Sequence, residues 1–198
     1  MSWTINNPFR GNAHAWLGAD GSLSARLAAA GQRFSVQLLA HGRQAISLDE
    51  AQGLGLSGAC AGYVREVVLR VDGVAVVFAR SVTPYAASRG PWRAICGLGL
   101  RPLADVLFTR KGITRSPITF AVLKASSPLR GQVAHGWQQA GGGVLASGRL
   151  PARRSVFTRG GAPLLVMEVF ASPQLPWAWP MPRRISSPLV QFRKNHED

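Results

Sequence analysis

Three charged side chains stand inside runs that are otherwise apolar and rich in β-branched residues: Arg65 in the run 63–71, Arg80 in the run 74–82, and Glu168 in the run 163–170. Asp72-Gly73, between the first two runs, is a favoured two-residue hairpin turn. Counting outward from it sets Arg65 directly opposite Arg80, with both side chains on one face. Their neighbours on that face, Tyr63, Val67, Leu69, Val76, Phe78 and Val82, are interior residue types. Two facing guanidinium groups repel, and burying both is costly unless an acid neutralises them. By the same count Glu66 points to the other face. Most of the nine acids lie in turns or near the chain end, whereas Glu168 sits inside a strongly apolar strand, where an unpaired carboxylate is expensive. Two arginines and one carboxylate converging there could hold a substrate with two carboxylates through short, charge-assisted contacts. A second reading makes Glu168 the structural partner of Arg153, which faces it if Gly160-Gly161 is a two-residue turn, while one arginine snorkels to water.

Other motifs fail on their context. Gly53, Gly55 and Gly58 spell G-x-G-x-x-G, but a strand follows them instead of the helix a dinucleotide fold needs. Ser57 misses the spacing of a nucleophile elbow, so a serine hydrolase is not supported. Cys60 and Cys96 form no C-x-x-C, and the four histidines have no metal-ligand spacing. No basic start followed by an apolar core marks a signal peptide, and the weakly charged stretch 160–182 carries Glu168 and five prolines, which excludes a membrane span. A cytoplasmic address is the expectation. The net charge of +14 calls for an anionic partner, yet the arginines form no run of five, so a small polyanion fits as well as nucleic acid.

These residues need elements to position them. Asp20-Gly21-Ser22 caps a short helix from Leu23 that Gly31 stops. Phe34, Val36 and Leu38 alternate along a strand ending near His41-Gly42. Ser47 to Glu50 has the form of a capping box. Short helices follow at 91–96 and from Pro102, and a strand at 117–124. The stretch 126–147, rich in Gly, Ser and Gln, reads as a surface insertion with little fixed structure. Runs 153–159 and 162–171 flank Gly160-Gly161 as a second hairpin. The layout is α+β, with a central antiparallel sheet of about five or six strands and short helices. A single domain covers residues 1–175, and the proline-rich basic tail, 176–198, packs over its surface.

In order and spacing, Val64 to Leu69, Phe78 to Pro84, Pro102 to Phe108 and Pro163 to Glu168 resemble the chorismate pyruvate-lyase family, with looser similarity from Trp16 to about Leu175. The resemblance implies a cofactor-independent monomer whose helical flaps cover an internal ligand cavity. It implies chorismate as substrate, 4-hydroxybenzoate and pyruvate as products, inhibition by 4-hydroxybenzoate, and a place at the start of ubiquinone synthesis. Arg65 would grip the ring carboxylate, Glu168 the ring hydroxyl and Arg80 the enolpyruvyl carboxylate, with main chain near Leu23 and Leu103 lining the pocket. Leu23 stands where similar proteins carry methionine, a mild change for a main-chain contact. Two rivals remain. A non-catalytic sensor of the same fold would be preceded by a helix-turn-helix, for which the chain before Arg33 is too short, and a nucleic-acid binder would show steeply salt-dependent duplex binding.

Overall fold

The structure is a computed structural model that describes residues 2–58 and 60–173. Among these residues, seven strands form one antiparallel sheet: β1 (Phe34–Ala45), β2 (Ala61–Val71), β3 (Val74–Pro84), β4 (Ile113–Arg115), β5 (Thr119–Leu123), β6 (Leu150–Arg159) and β7 (Ala162–Phe170). Their order is β1-β2-β3-β7-β6, and β4 and β5 pair with successive stretches of β6. Both hairpins turn where expected. Asp72 (φ 50°) with Gly73 (φ 81°), and Gly160 (φ 52°) with Gly161 (φ 74°), supply the positive angles that match a two-residue turn to strand twist.

The β2–β3 register differs from a simple count outward from the turn. Val71 pairs with Val74 and Arg70 with Ala75, but Leu69 pairs with Val77, so Val76 is an extra residue forming a β-bulge. A one-residue slip exchanges the faces of everything beyond it. Arg65 therefore pairs with Ser81, and Arg80 pairs with Glu66. Phe78 and Val82 likewise leave the face of Tyr63, Val67 and Leu69.

Helices cover both faces. On the Arg65 face lie α1 (Gly11–Leu17), α2 (Leu23–Ala30), α4 (Arg93–Cys96) and α5 (Ala104–Leu107). Leu17, Leu23 and Leu27 pack there with Val67, Leu69 and Val77, while Ile95, Val106 and Leu107 pack with Tyr63, Phe157 and Leu164. The other face carries α3 (Leu48–Gly53), closed by the Ser47–Glu50 capping box, and α6 (Pro128–Gln139). Ser22 caps α2 by accepting from the Ala25 amide at 3.0 Å.

Helix α6 corrects the expectation of a loose insertion at 126–147. Pro128 occupies its first turn, and Leu129, Val133 and Trp137 recur every four residues on the face it turns to the sheet. Gly136 lets it approach closely, since a Cβ there would stand 2.7 Å from a Phe78 ring carbon. The following turn is tied back by Arg130, which donates to the Ala146 carbonyl at 3.0 Å and the Gly148 carbonyl at 2.6 Å. Strand β1 also runs past Gly42 to Ala45, through a bulge between Leu38 and Ala40. The tail at 176–198 lies outside the described residues. No helix among the described residues is long and apolar enough to cross a membrane.

Candidate active site

Residues paired across an antiparallel sheet share a face, so the pairings define rows. One row runs Arg65 (β2), Ser81 (β3), Val166 (β7) and Ser155 (β6). The next, two residues along, runs Val67, Ala79, Glu168, Arg153 and Phe120 (β5). Arg65 and Glu168 thus share a face, two strands and one row apart, or roughly 12 Å between Cα atoms at ordinary sheet spacing. Their polar groups lie between the two apolar clusters under α1, α2, α4 and α5.

Arg65 is 3% exposed. One terminal nitrogen donates to the carbonyls of Gly99 and Arg101, both at 2.9 Å, which ties the loop before α5 to the sheet. Its Nε is buried without a hydrogen-bond partner among the described residues. Burial pulls the guanidinium below its ordinary pKa, and no carboxylate among the described residues offsets that cost. An unmet buried donor on a cation is a place for an anion.

Glu168 accepts from Arg153 Nε through Oε2 at 2.5 Å. The pairing expected from Gly160-Gly161 is present, and it lies on the Arg65 face. Arg153 is fixed from the other side: one terminal nitrogen donates to the carbonyls of Leu17 (3.0 Å) and Ala19 (3.1 Å) at the end of α1. A cation there satisfies helix-end carbonyls and holds Glu168 in one orientation. Oε1 of Glu168 accepts no hydrogen bond from the described residues.

Arg115, on β4, joins this group and had no place in the sequence expectations. It donates from Nε to Ser155 Oγ at 2.9 Å and lies 5.2 Å from the Phe157 ring centroid. Burial, then the charge of Arg153, lowers its pKa, opposed by Glu168 and Asp20. The signal that could have found it is the Ile113-Thr114-Arg115 alternation, which a three-residue strand makes too short to read.

Arg80 is not brought to this site. On the opposite face its Nε donates to Glu50 at 2.5 Å and one terminal nitrogen to Glu66 at 2.6 Å. The bulge at Val76 is the reason, and it makes Glu66 the facing partner. Burial alone would raise the Glu50 carboxyl, but Arg80 and the Ser47 cap hold it below its ordinary value. Burial would lower the Arg80 guanidinium, and the two carboxylates hold it above.

Leu23 and Leu103 sit over the Arg65 face from two sides, at the start of α2 and immediately before α5. Both are buried, and the two helices pack against each other. The cover is complete over Arg65 and Arg153, whereas Glu168 and Arg115 are only partly buried. A surface cleft of about 530 Å³, lined by Arg93, Arg110, Lys111 and Arg159, shares no residue with it.

These features define the class: an α+β domain with a partly roofed cationic cluster on one sheet face. The effector domain of PhnF from Mycobacterium smegmatis has a similar fold, with a TM-score of 0.56 and 19% identity over 78% of this chain and 91% of that one. The family model described as chorismate lyase matches residues 7–178, and the chain belongs to that family. A probable chorismate pyruvate-lyase of Albidiferax ferrireducens is 66% identical over 177 residues, covering 89% of this chain and 90% of that protein. Probable chorismate pyruvate-lyase 1 of Pseudomonas fluorescens is 40% identical over 169 residues, 85% of each.

Proposed function

We propose that the protein cleaves chorismate to 4-hydroxybenzoate and pyruvate without a cofactor, in the site between Arg65 and Glu168. The observation that carries this reading is a buried guanidinium whose Nε has no partner among the described residues, on the same sheet face as a fixed carboxylate, in a chain of the chorismate lyase family. Arg65 Nε takes the ring carboxylate. Glu168 Oε1 accepts the hydrogen of the C4 hydroxyl at the opposite end of the ring. Main chain near Leu23 and Leu103 closes over the ring edge.

The ring is already a strained diene, so little covalent help is required. The C3–O ether bond breaks with its electron pair passing to the enolpyruvyl oxygen. The C4 proton departs, and its bonding pair completes the aromatic ring. The proton and the enolpyruvate then combine as pyruvate, and atoms and charge balance. The protein's part is to hold the conformer in which both bonds can break, exclude water, and stabilise negative charge on the leaving group. A partly roofed site retards the release of its product, so 4-hydroxybenzoate inhibits.

The test mixes purified protein with chorismate and follows pyruvate and 4-hydroxybenzoate together. Equimolar release of both is expected, and initial rates should fall when 4-hydroxybenzoate is added at the start. Unchanged chorismate, or the 3-hydroxy isomer as product, would overturn the reading.

A further inference from the structure

We infer that Arg115, on the short edge strand β4, takes the second carboxylate of the substrate, the one on the enolpyruvyl arm that leaves with pyruvate. The inference rests on the functional reading above and supplies a group it lacks. A twice-negative substrate needs a second cation, and Arg80 is committed to Glu50 and Glu66 on the far face. Arg153 is also committed, to Glu168 and to the carbonyls that end α1.

Position separates Arg115 from the remaining candidates. The enolpyruvyl arm leaves C3, next to the C4 hydroxyl that Glu168 holds and away from the carboxylate that Arg65 holds. Its carboxylate must therefore lie at the Glu168 end. Arg115 reaches that end: its Nε is anchored on Ser155 Oγ, in the row of Arg65 but three strands away, on β6, the strand beside Glu168. Its charge is close enough to those of Arg153 and Glu168 to interact with both. The Phe157 ring under the guanidinium fixes its plane, leaving its terminal nitrogens for a ligand.

Charge balance agrees. Among the described residues, Arg65, Arg115 and Arg153 face one carboxylate, Glu168, which leaves two positive charges uncompensated on this face. Counting Arg26, near Arg153, and Asp20, near Arg115, leaves the same excess. Chorismate carries two negative charges and 4-hydroxybenzoate one, so the site loses its match once pyruvate has formed. Arg115 also stands where charge develops on the departing enolpyruvate, a placement that accelerates the bond-breaking step itself.

The product provides the control, because it lacks the second carboxylate. Arg115→Gln should lower kcat/KM for chorismate about 10- to 100-fold, the range for losing hydrogen bonds to a charged group. The dissociation constant of 4-hydroxybenzoate, measured by calorimetry, should stay within about twofold of wild type. Arg115→Lys should recover part of kcat/KM, and keeps the test alive if the glutamine variant fails to fold. Equal losses for chorismate and 4-hydroxybenzoate would reduce Arg115 to a support of the fold, and an unchanged kcat/KM would remove it from the site. A wild-type protein that binds 4-hydroxybenzoate yet releases no pyruvate would sink the functional reading, and this assignment with it.

Discussion

A buried arginine is tolerated only when its donors are met, and three arginines in this sheet meet that demand differently. Arg80 is neutralised by Glu50 and Glu66, Arg153 by Glu168 and the end of α1, and Arg65 is left with an unmet Nε. Arg80→Met would strand two carboxylates, so unfolding free energy should drop by about 3–5 kcal/mol in denaturant titrations. The 4-hydroxybenzoate affinity of the folded variant should remain close to wild type, and a collapse of that affinity with stability intact would return Arg80 to the site. The same ion cluster sets an acid limit. Glu50 is held below its ordinary value of 4.5, so its contribution is complete above that pH and is lost as pH falls through the lower folded-state value. The melting temperature should change little on this account between pH 7 and 5 and fall below about pH 4.5, with a flatter acid limb in Glu50→Gln. At this scale the facing of Glu168 and Arg153 was legible, because the β6–β7 hairpin is regular from Arg159 back to Ala152. Arg80 was misplaced because the bulge at Val76 leaves no mark in a run of valines and alanines.

The elements that roof and back the sheet divide along the same line. Caps at Ser22 and Ser47, and turns at Asp72-Gly73 and Gly160-Gly161, were readable because each depends on two or three adjacent residues with special backbone chemistry. Helix α6 was not, since Gly131 and Gly136 lower its intrinsic helix preference and packing on Phe78, Val68 and Met167 stabilises it. Gly136→Ala tests that packing. An alanine raises helix preference in an exposed segment, but here its Cβ would press on the Phe78 ring and on Leu39, so a loss of about 1–3 kcal/mol is expected in thermal or denaturant unfolding. A neutral or stabilising result would mean that α6 does not dock as described. On the other face, the loop held by Arg65 leads directly into Leu103 and α5, so a ligand taken by Arg65 as proposed would act on the segment that leads into these elements.

For the whole molecule, the excess of arginine over acid now has two origins. Part of it forms the cluster on the Arg65 face, and the rest gives a general positive potential that draws a dianion from solution. Raising ionic strength from about 10 to 150 mM, where the screening length shortens from about 30 to 8 Å, should lower kcat/KM for chorismate several-fold with little change in kcat. A salt-independent kcat/KM would deny the surface any role in capture. The α+β class and the central sheet were legible from strand periodicity and turn chemistry, whereas the number of strands was underestimated because β4 spans three residues. The most direct test of the site compares turnover of chorismate by wild type, Arg65→Ala and Glu168→Gln, each confirmed folded by circular dichroism. Wild type should release pyruvate and 4-hydroxybenzoate in equal amounts, and each variant should lose at least about 100-fold in kcat/KM, on the order of 3 kcal/mol of transition-state stabilisation. Turnover by either variant at the wild-type rate would contradict a site built between these two residues.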